Sequence, residues 1–140
     1  MPLTSISPVP KIDILLPAKE RFSPSNAGAI SGVVRDLVLA SQALKQFRII
    51  GTEVDTSLMP HHFKGLMPKR RWLNGHNIGL AAAYLDMINA TSVADLVEVH
   101  SRCHVARYLL QKQPSLRVSL YLHNDPRQMK GGRSVSQRRY

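Results

Sequence analysis

The chain is short of several things, and each shortage closes off a class of explanation. It holds one cysteine, Cys103, in 140 residues. A disulfide framework and a thiolate metal cluster both need more than one, so neither is available, and a reducing compartment is the default. Aromatic residues make up 6% of the chain, with no repeat in which they interleave with lysine or arginine. That argues against single-strand nucleic-acid binding, which uses stacking platforms in a basic groove. Acidic residues number 9 against 19 lysines and arginines, a formal charge of +10. Such a balance implies an anionic partner without choosing among nucleic acid, phospholipid and phosphorylated sugar. Long apolar runs are missing too. Residues 72–85 carry no acid, lysine or arginine, yet they contain Asn and Gly and are too short to span a bilayer. The opening MPLTSISPVPK lacks the basic-then-apolar pattern of a secretion signal. The expected location is cytoplasmic, with a peripheral contact on the inner face of a membrane left open.

What is present reads as one domain. An apolar fraction of 44% is enough for a core and argues against disorder. Residues 1–10, with Pro2, Pro8 and Pro10, read as a disordered leader. Short apolar runs predict strands at 12–16, 48–51, 95–99 and 118–122. Between them, Ile30, Val33, Val34, Leu37, Ala40 and Leu44 follow helical spacing, as do Ile78, Ala81, Ala82, Leu85 and Ile88. A third helix is expected from Cys103 to Gln113, closed by Pro114. Glu53 to Lys69, with two prolines and His61-His62, reads as one long loop. Strand and helix thus alternate, which predicts a three-layer Rossmann-like α/β domain over residues 11–126 with a parallel sheet. Residues 127–140 read as a basic tail, the start of a missing helix, so the domain is expected to be truncated at its C-terminal end.

Candidate chemistry gathers where predicted strands end. The first strand leads through Ala18–Gly28 to a helix start, where unpaired N–H groups and the helix dipole favour an anion. The same loop also fits an ordinary β–α connection, and the GxGxxG fingerprint is absent. His123 with Asp125 forms either a base with its orienting carboxylate or a simple turn, the turn being favoured. His61-His62 and His76 match no recurring ligand set, and no HExxH occurs. His100 and His104 have the helical metal spacing, but His100 ends a strand, so no metal is expected. Lys69-Arg70-Arg71-Trp72 fits a membrane-surface or anion contact, or a solvated loop with the indole in the core.

Three segments, KIDILLPAKERFSPSNAGAIS, DLVEVHSR and LYLHNDPRQMKGGRSVSQR, occur in this order. With them the chain resembles the N-terminal, acceptor-side lobe of family-4 glycosyltransferases, over about Lys11 to Arg138. These are retaining sugar transferases with two Rossmann-like lobes facing a cleft, and the chain especially resembles bacterial members that build lipopolysaccharide or exopolysaccharide. The chain departs from such members at Ala27-Gly28, where they often carry Gly-Gly. It departs again at His100-Ser101-Arg102-Cys103, where they often read His-Asn-Arg-Pro. The second lobe, which holds the nucleotide-sugar and paired glutamates, is missing.

The resemblance implies a nucleotide-sugar donor and a saccharide or lipid-linked acceptor as partners, with no metal or other cofactor. His123 would face the transferred sugar as the catalytic residue. Ala27 and Gly28 would approach donor phosphates and acceptor through the backbone, and His100, Arg102, Asn124 and Asp125 would line the substrate cleft. Lys69, Arg70, Arg71 and Trp72 would meet an anionic or lipid-linked acceptor. A lone lobe is expected to be inactive or nearly so. The alternative is a non-enzymatic basic Rossmann-like module that binds nucleic acid or another anionic partner, although nucleic acid is disfavoured by the aromatic content.

Overall fold

β1 (Lys11–Leu15) is the central strand of a single sheet in the computed structural model, which describes residues 9–25, 28–41, 46–69 and 75–122. β2 (Gln46–Thr52) and β4 (Leu96–His100) flank it. β3 (Phe63–Leu66) lies outside β2, and β5 (Val118–Tyr121) outside β4. The order is β3-β2-β1-β4-β5, and every pairing is parallel. The chain is therefore the Rossmann-like α/β sheet that the alternation predicts.

The two faces follow from side-chain alternation along the strands. On one face Ile12, Ile14, Leu16 and Ile49 pack with Phe22 and with Val34 and Val38 of α1 (Ala29–Ser41). On the other, Leu15, Ile50, Val97 and Val99 pack with Tyr84 and Ile88 of α2 (Gly75–Ala90) and Val105 and Leu109 of α3 (Cys103–Lys112). Ile14, Ile49, Ile50 and Leu109 are wholly buried; each such side chain stabilises the fold by about 1.5–3 kcal/mol through transfer from water.

Three details differ from expectation. Residues 53–69 are not one loop, because Phe63–Leu66 pairs with Ile49–Thr52. A four-residue FKGL run has neither alternation nor β-branching; the open edge of β2 recruits it. The crossover before it carries Leu58 and Met59, which pack on the α1 face where a helix would otherwise lie. Second, α1 buries Ser31, Val34 and Val38, while Ile30, Val33 and Leu37 are only half-buried and Ala40 is exposed. Third, α2 buries the five residues expected and also Gly79, Leu80 and Tyr84. The segment before it closes on the helix: the Lys69 N–H donates to the Gly79 carbonyl at 3.0 Å. A Cβ at Gly79 would overlap the Lys69 carbonyl, so glycine permits this approach.

Asp13 is the polar exception inside the core, 2% exposed. Its register partner Arg48 donates from Nε and Nη2 at 2.8 Å each, and the Tyr84 hydroxyl donates at 2.5 Å. Burial, then the Asp13 charge, holds the Tyr84 phenol protonated far above its usual range. The hydrogen bond to Asp13 likewise raises Arg48. Every buried lone pair of this kind needs a partner, and the network joins β1, β2 and α2 through one carboxylate.

Candidate functional site

In an order of β3-β2-β1-β4-β5 the strand order reverses between β1 and β4, and ligands of open α/β sheets bind outside the carboxyl ends of the strands at that point. Two connections meet there: β1 to α1, and β4 to α3.

The first is tightly built. Pro17 begins a turn in which the Glu20 N–H donates to its carbonyl at 3.0 Å, sending Glu20 back over the sheet edge. The Ala18 carbonyl accepts from Thr52 Oγ1 at 2.6 Å, and the Ala18 N–H donates to Asn77 Oδ1 at 2.7 Å. Phe22, wholly buried, stacks on Phe63 with centroids 5.6 Å apart. Glu20 then reaches the start of α1. Its Oε2 accepts from the Gly28 N–H at 2.9 Å, the Ser31 N–H at 3.1 Å and the Ser31 hydroxyl at 2.5 Å. Gly28 is the N-cap, since its carbonyl accepts from Gly32 N–H, and it has no side chain with which to cap. One distant carboxylate does both jobs of a capping box, serving the N-cap and N3 donors together.

This corrects the expected role of Gly28. It stands at the predicted place, beyond the first strand, but its N–H belongs to Glu20 rather than facing outward for a phosphate. A Cβ there would come within 2.8 Å of Glu20 Oε2. A side chain at this position would push the flexible end of that carboxylate aside.

The second connection is different. His100 ends β4 as expected, but its ring has no exposed surface. It stacks on its register partner Tyr121, with centroids 4.9 Å apart and planes 12° apart. Its Nε2–H donates to Glu98 Oε1 at 2.7 Å. The expectation that His100 opens onto a substrate cleft therefore fails: β5 places an aromatic ring directly against it, and the imidazole is a buried structural group.

Ser101 follows in the left-handed region at φ 64°, the one non-glycine residue to do so among the described residues. Serine tolerates that region less readily than asparagine. The Ser101 N–H donates to the Tyr121 carbonyl at 2.8 Å, which holds the backbone in place. Its Oγ is buried and has no hydrogen-bond partner, a state that costs about 1–3 kcal/mol. Arg102 is the N-cap of α3, with no side-chain cap bond, and its Nη1 donates to the Ser101 carbonyl at 3.0 Å. The N–H groups of Cys103 and His104 therefore begin α3 without intrahelical partners. Partial desolvation, then the Arg102 charge, lowers the His104 pKa below its usual 6.5.

The structure thus brings Gly28 and Arg102 to one sheet edge, places His100 there but buries it, and adds Glu20, Ser31 and Ser101, which sequence reading passed over. Glu20 lies eleven residues before Ser31, at no recognised capping distance. The departure from asparagine at 101 was the available hint for the turn. Ala27, His123, Asn124 and Asp125 lie outside the described residues, as do Arg70, Arg71 and Trp72. Lys69 pairs its Nζ with Asp86 of α2, so its charge is matched within the chain. No described helix is long and apolar enough to cross a membrane. A cavity of about 220 Å³ lined by Lys11, Asp13, Arg48 and Ser92 opens on the opposite, amino edge, away from these loops. No protein-family model matches the chain, and no curated protein matches it.

Proposed function

We propose that this chain is the acceptor-side lobe of a retaining glycosyltransferase that moves a sugar from a nucleotide-sugar donor to a saccharide or lipid-linked acceptor in bacterial cell-surface polysaccharide synthesis. One observation carries the reading. Two of the segments that resemble the family, ending at Ser31 and Arg102, run through the neighbouring strands β1 and β4 into the loops beyond them. They meet at the switch point on the carboxyl edge. A module held to its partner by charge alone has no need of that coincidence.

Retaining sugar transfer develops positive charge at the sugar and negative charge on the leaving nucleoside diphosphate. Placement and fixed dipoles matter more there than a strong nucleophile. On this reading the chain supplies a rigid edge: Glu20 locks the β1–α1 loop, and Arg102 contributes a cation beside the start of α3. On this reading the 140 residues bind acceptors weakly and do not turn over nucleotide sugars by themselves, because transfer also needs a lobe that grips the nucleotide.

The test is incubation of purified chain with a panel of nucleotide sugars and lipid-linked acceptors, beside a form extended past Tyr140. Transfer by the longer form alone supports the proposal. Transfer by this chain, lost on His123→Ala, overturns the fragment half of it. Tight, salt-sensitive binding to RNA or DNA with no sugar binding replaces it with the basic-module reading.

A further inference from the structure

We infer that the turn between β4 and α3 is an oxyanion site, which takes the phosphate of a phosphorylated acceptor on Ser101 Oγ, the first N–H groups of α3 and the Arg102 guanidinium. The inference rests on the acceptor-lobe reading for the ligand's role alone, since binding of the phosphate is tested without transfer.

The molecule contains its own example of what such a turn accepts. At the start of α1, two backbone N–H groups and a serine hydroxyl converge on one carboxylate oxygen. At the start of α3 the same kinds of donor recur. The N–H groups of Cys103 and His104 have no intrahelical partners, and α3 has no side-chain cap. The Ser101 hydroxyl, in a residue 5% exposed, is buried and unpartnered. Among the described residues no carboxylate bonds to any of them; the neighbouring Glu98 turns to His100. A guanidinium is added, held beside the turn by its bond to the Ser101 carbonyl.

Buried hydroxyls without partners are rare in native proteins and call for an explanation. Here the hydroxyl belongs to the one non-glycine residue held in left-handed backbone, at the switch point where α/β sheets take ligands. A carboxylate fills the first turn, and among the described residues nothing of the kind fills the second. A phosphate oxygen matches donors of this type and number better than a neutral sugar hydroxyl does, because hydrogen bonds to an ionised acceptor are about twice as strong.

The experiment is titration of the isotopically labelled 140-residue chain with inorganic phosphate at constant ionic strength, followed by amide NMR. Saturable shifts confined to residues 101–104 are expected. Ser101→Gly removes the hydroxyl while suiting the left-handed backbone, so the fold is kept; phosphate affinity is expected to fall about tenfold. Arg102→Gln is expected to weaken it several-fold, and glucose 6-phosphate should perturb the same amides where glucose does not. Unsaturable shifts spread over the basic segments, equal binding by Ser101→Gly, or equal shifts with glucose would overturn the site. Phosphate bound at 101–104 with no transfer by any longer form keeps the site and retires the transferase reading. Transfer to an unphosphorylated acceptor, with no phosphate response at 101–104, does the reverse.

Discussion

The starts of α1 and α3 are two answers to one problem. Each helix follows a central strand at the same sheet edge, and each presents first-turn N–H groups that the helix itself leaves unbonded. At α1 a carboxylate from eight residues before the N-cap takes the N-cap and N3 donors, the N–H groups of Gly28 and Ser31. At α3 the cap residue is an arginine that bonds backwards, to the Ser101 carbonyl, and the serine hydroxyl is left over. The first arrangement already holds an anion of its own. The second has donors and a cation in place with a requirement still open. A functional site is sought where local rules are unmet rather than where they are satisfied, and this moves attention from the glycine loop to the turn after β4.

The comparison breaks most visibly at Glu20. Glu20→Ala leaves the Gly28 and Ser31 N–H donors without their acceptor and the buried Ser31 hydroxyl with only its longer bond, to the Arg21 carbonyl at 3.4 Å, and stability in a denaturant titration should fall by about 2 kcal/mol. The same variant sharpens the contrast, because its α1 start should now respond to phosphate at the amides of 28–31, where the parent chain should not.

Gly28→Ala should cost less, about 1 kcal/mol. The added Cβ would lie within 2.8 Å of Glu20 Oε2, and the flexible carboxylate can withdraw only by surrendering its bonds. A double variant with Glu20→Ala tests this by non-additivity; if the two losses simply add, Glu20 is not what makes glycine necessary.

At the other turn the sign reverses. Ser101→Gly removes an unsatisfied buried hydroxyl and suits the backbone at φ 64°, so stability should rise by about 1 kcal/mol while phosphate binding weakens about tenfold. A destabilised variant would mean that the hydroxyl has a partner in solution.

The smallest effect is in pH. Because the folded protein holds the His104 pKa below 6.5, the unfolded chain takes up its proton first as pH falls. Stability from this residue is complete above about pH 6.5 and declines below it. His104→Gln should flatten the stability slope between pH 7 and 5.5. Bound phosphate beside the imidazole should raise its pKa again, which a histidine titration by NMR would read.

Sequence alone determined the class of fold and which loops share a sheet edge. Strand and helix periods are local properties, so β1, β2, β4 and β5 and the three helices were legible from the spacing of residues such as Ile12, Ile14, Val97 and Val99. Alternation of the two periods implied the parallel sheet, and with it that the loops after β1 and β4 share an edge. Tertiary structure decided the rest, because each remaining feature joins residues that no local period relates. FKGL became a strand through the free edge of β2. Asp13, a carboxylate within an apolar run, became a core anchor through Arg48 and Tyr84. His100 was sealed by Tyr121, the Gly28 amide was taken by Glu20, and Ser101 was left with a buried hydroxyl and no partner. In each case the residue type was readable in advance, and its role depended on which group the fold brought within about 3 Å, the reach of a hydrogen bond.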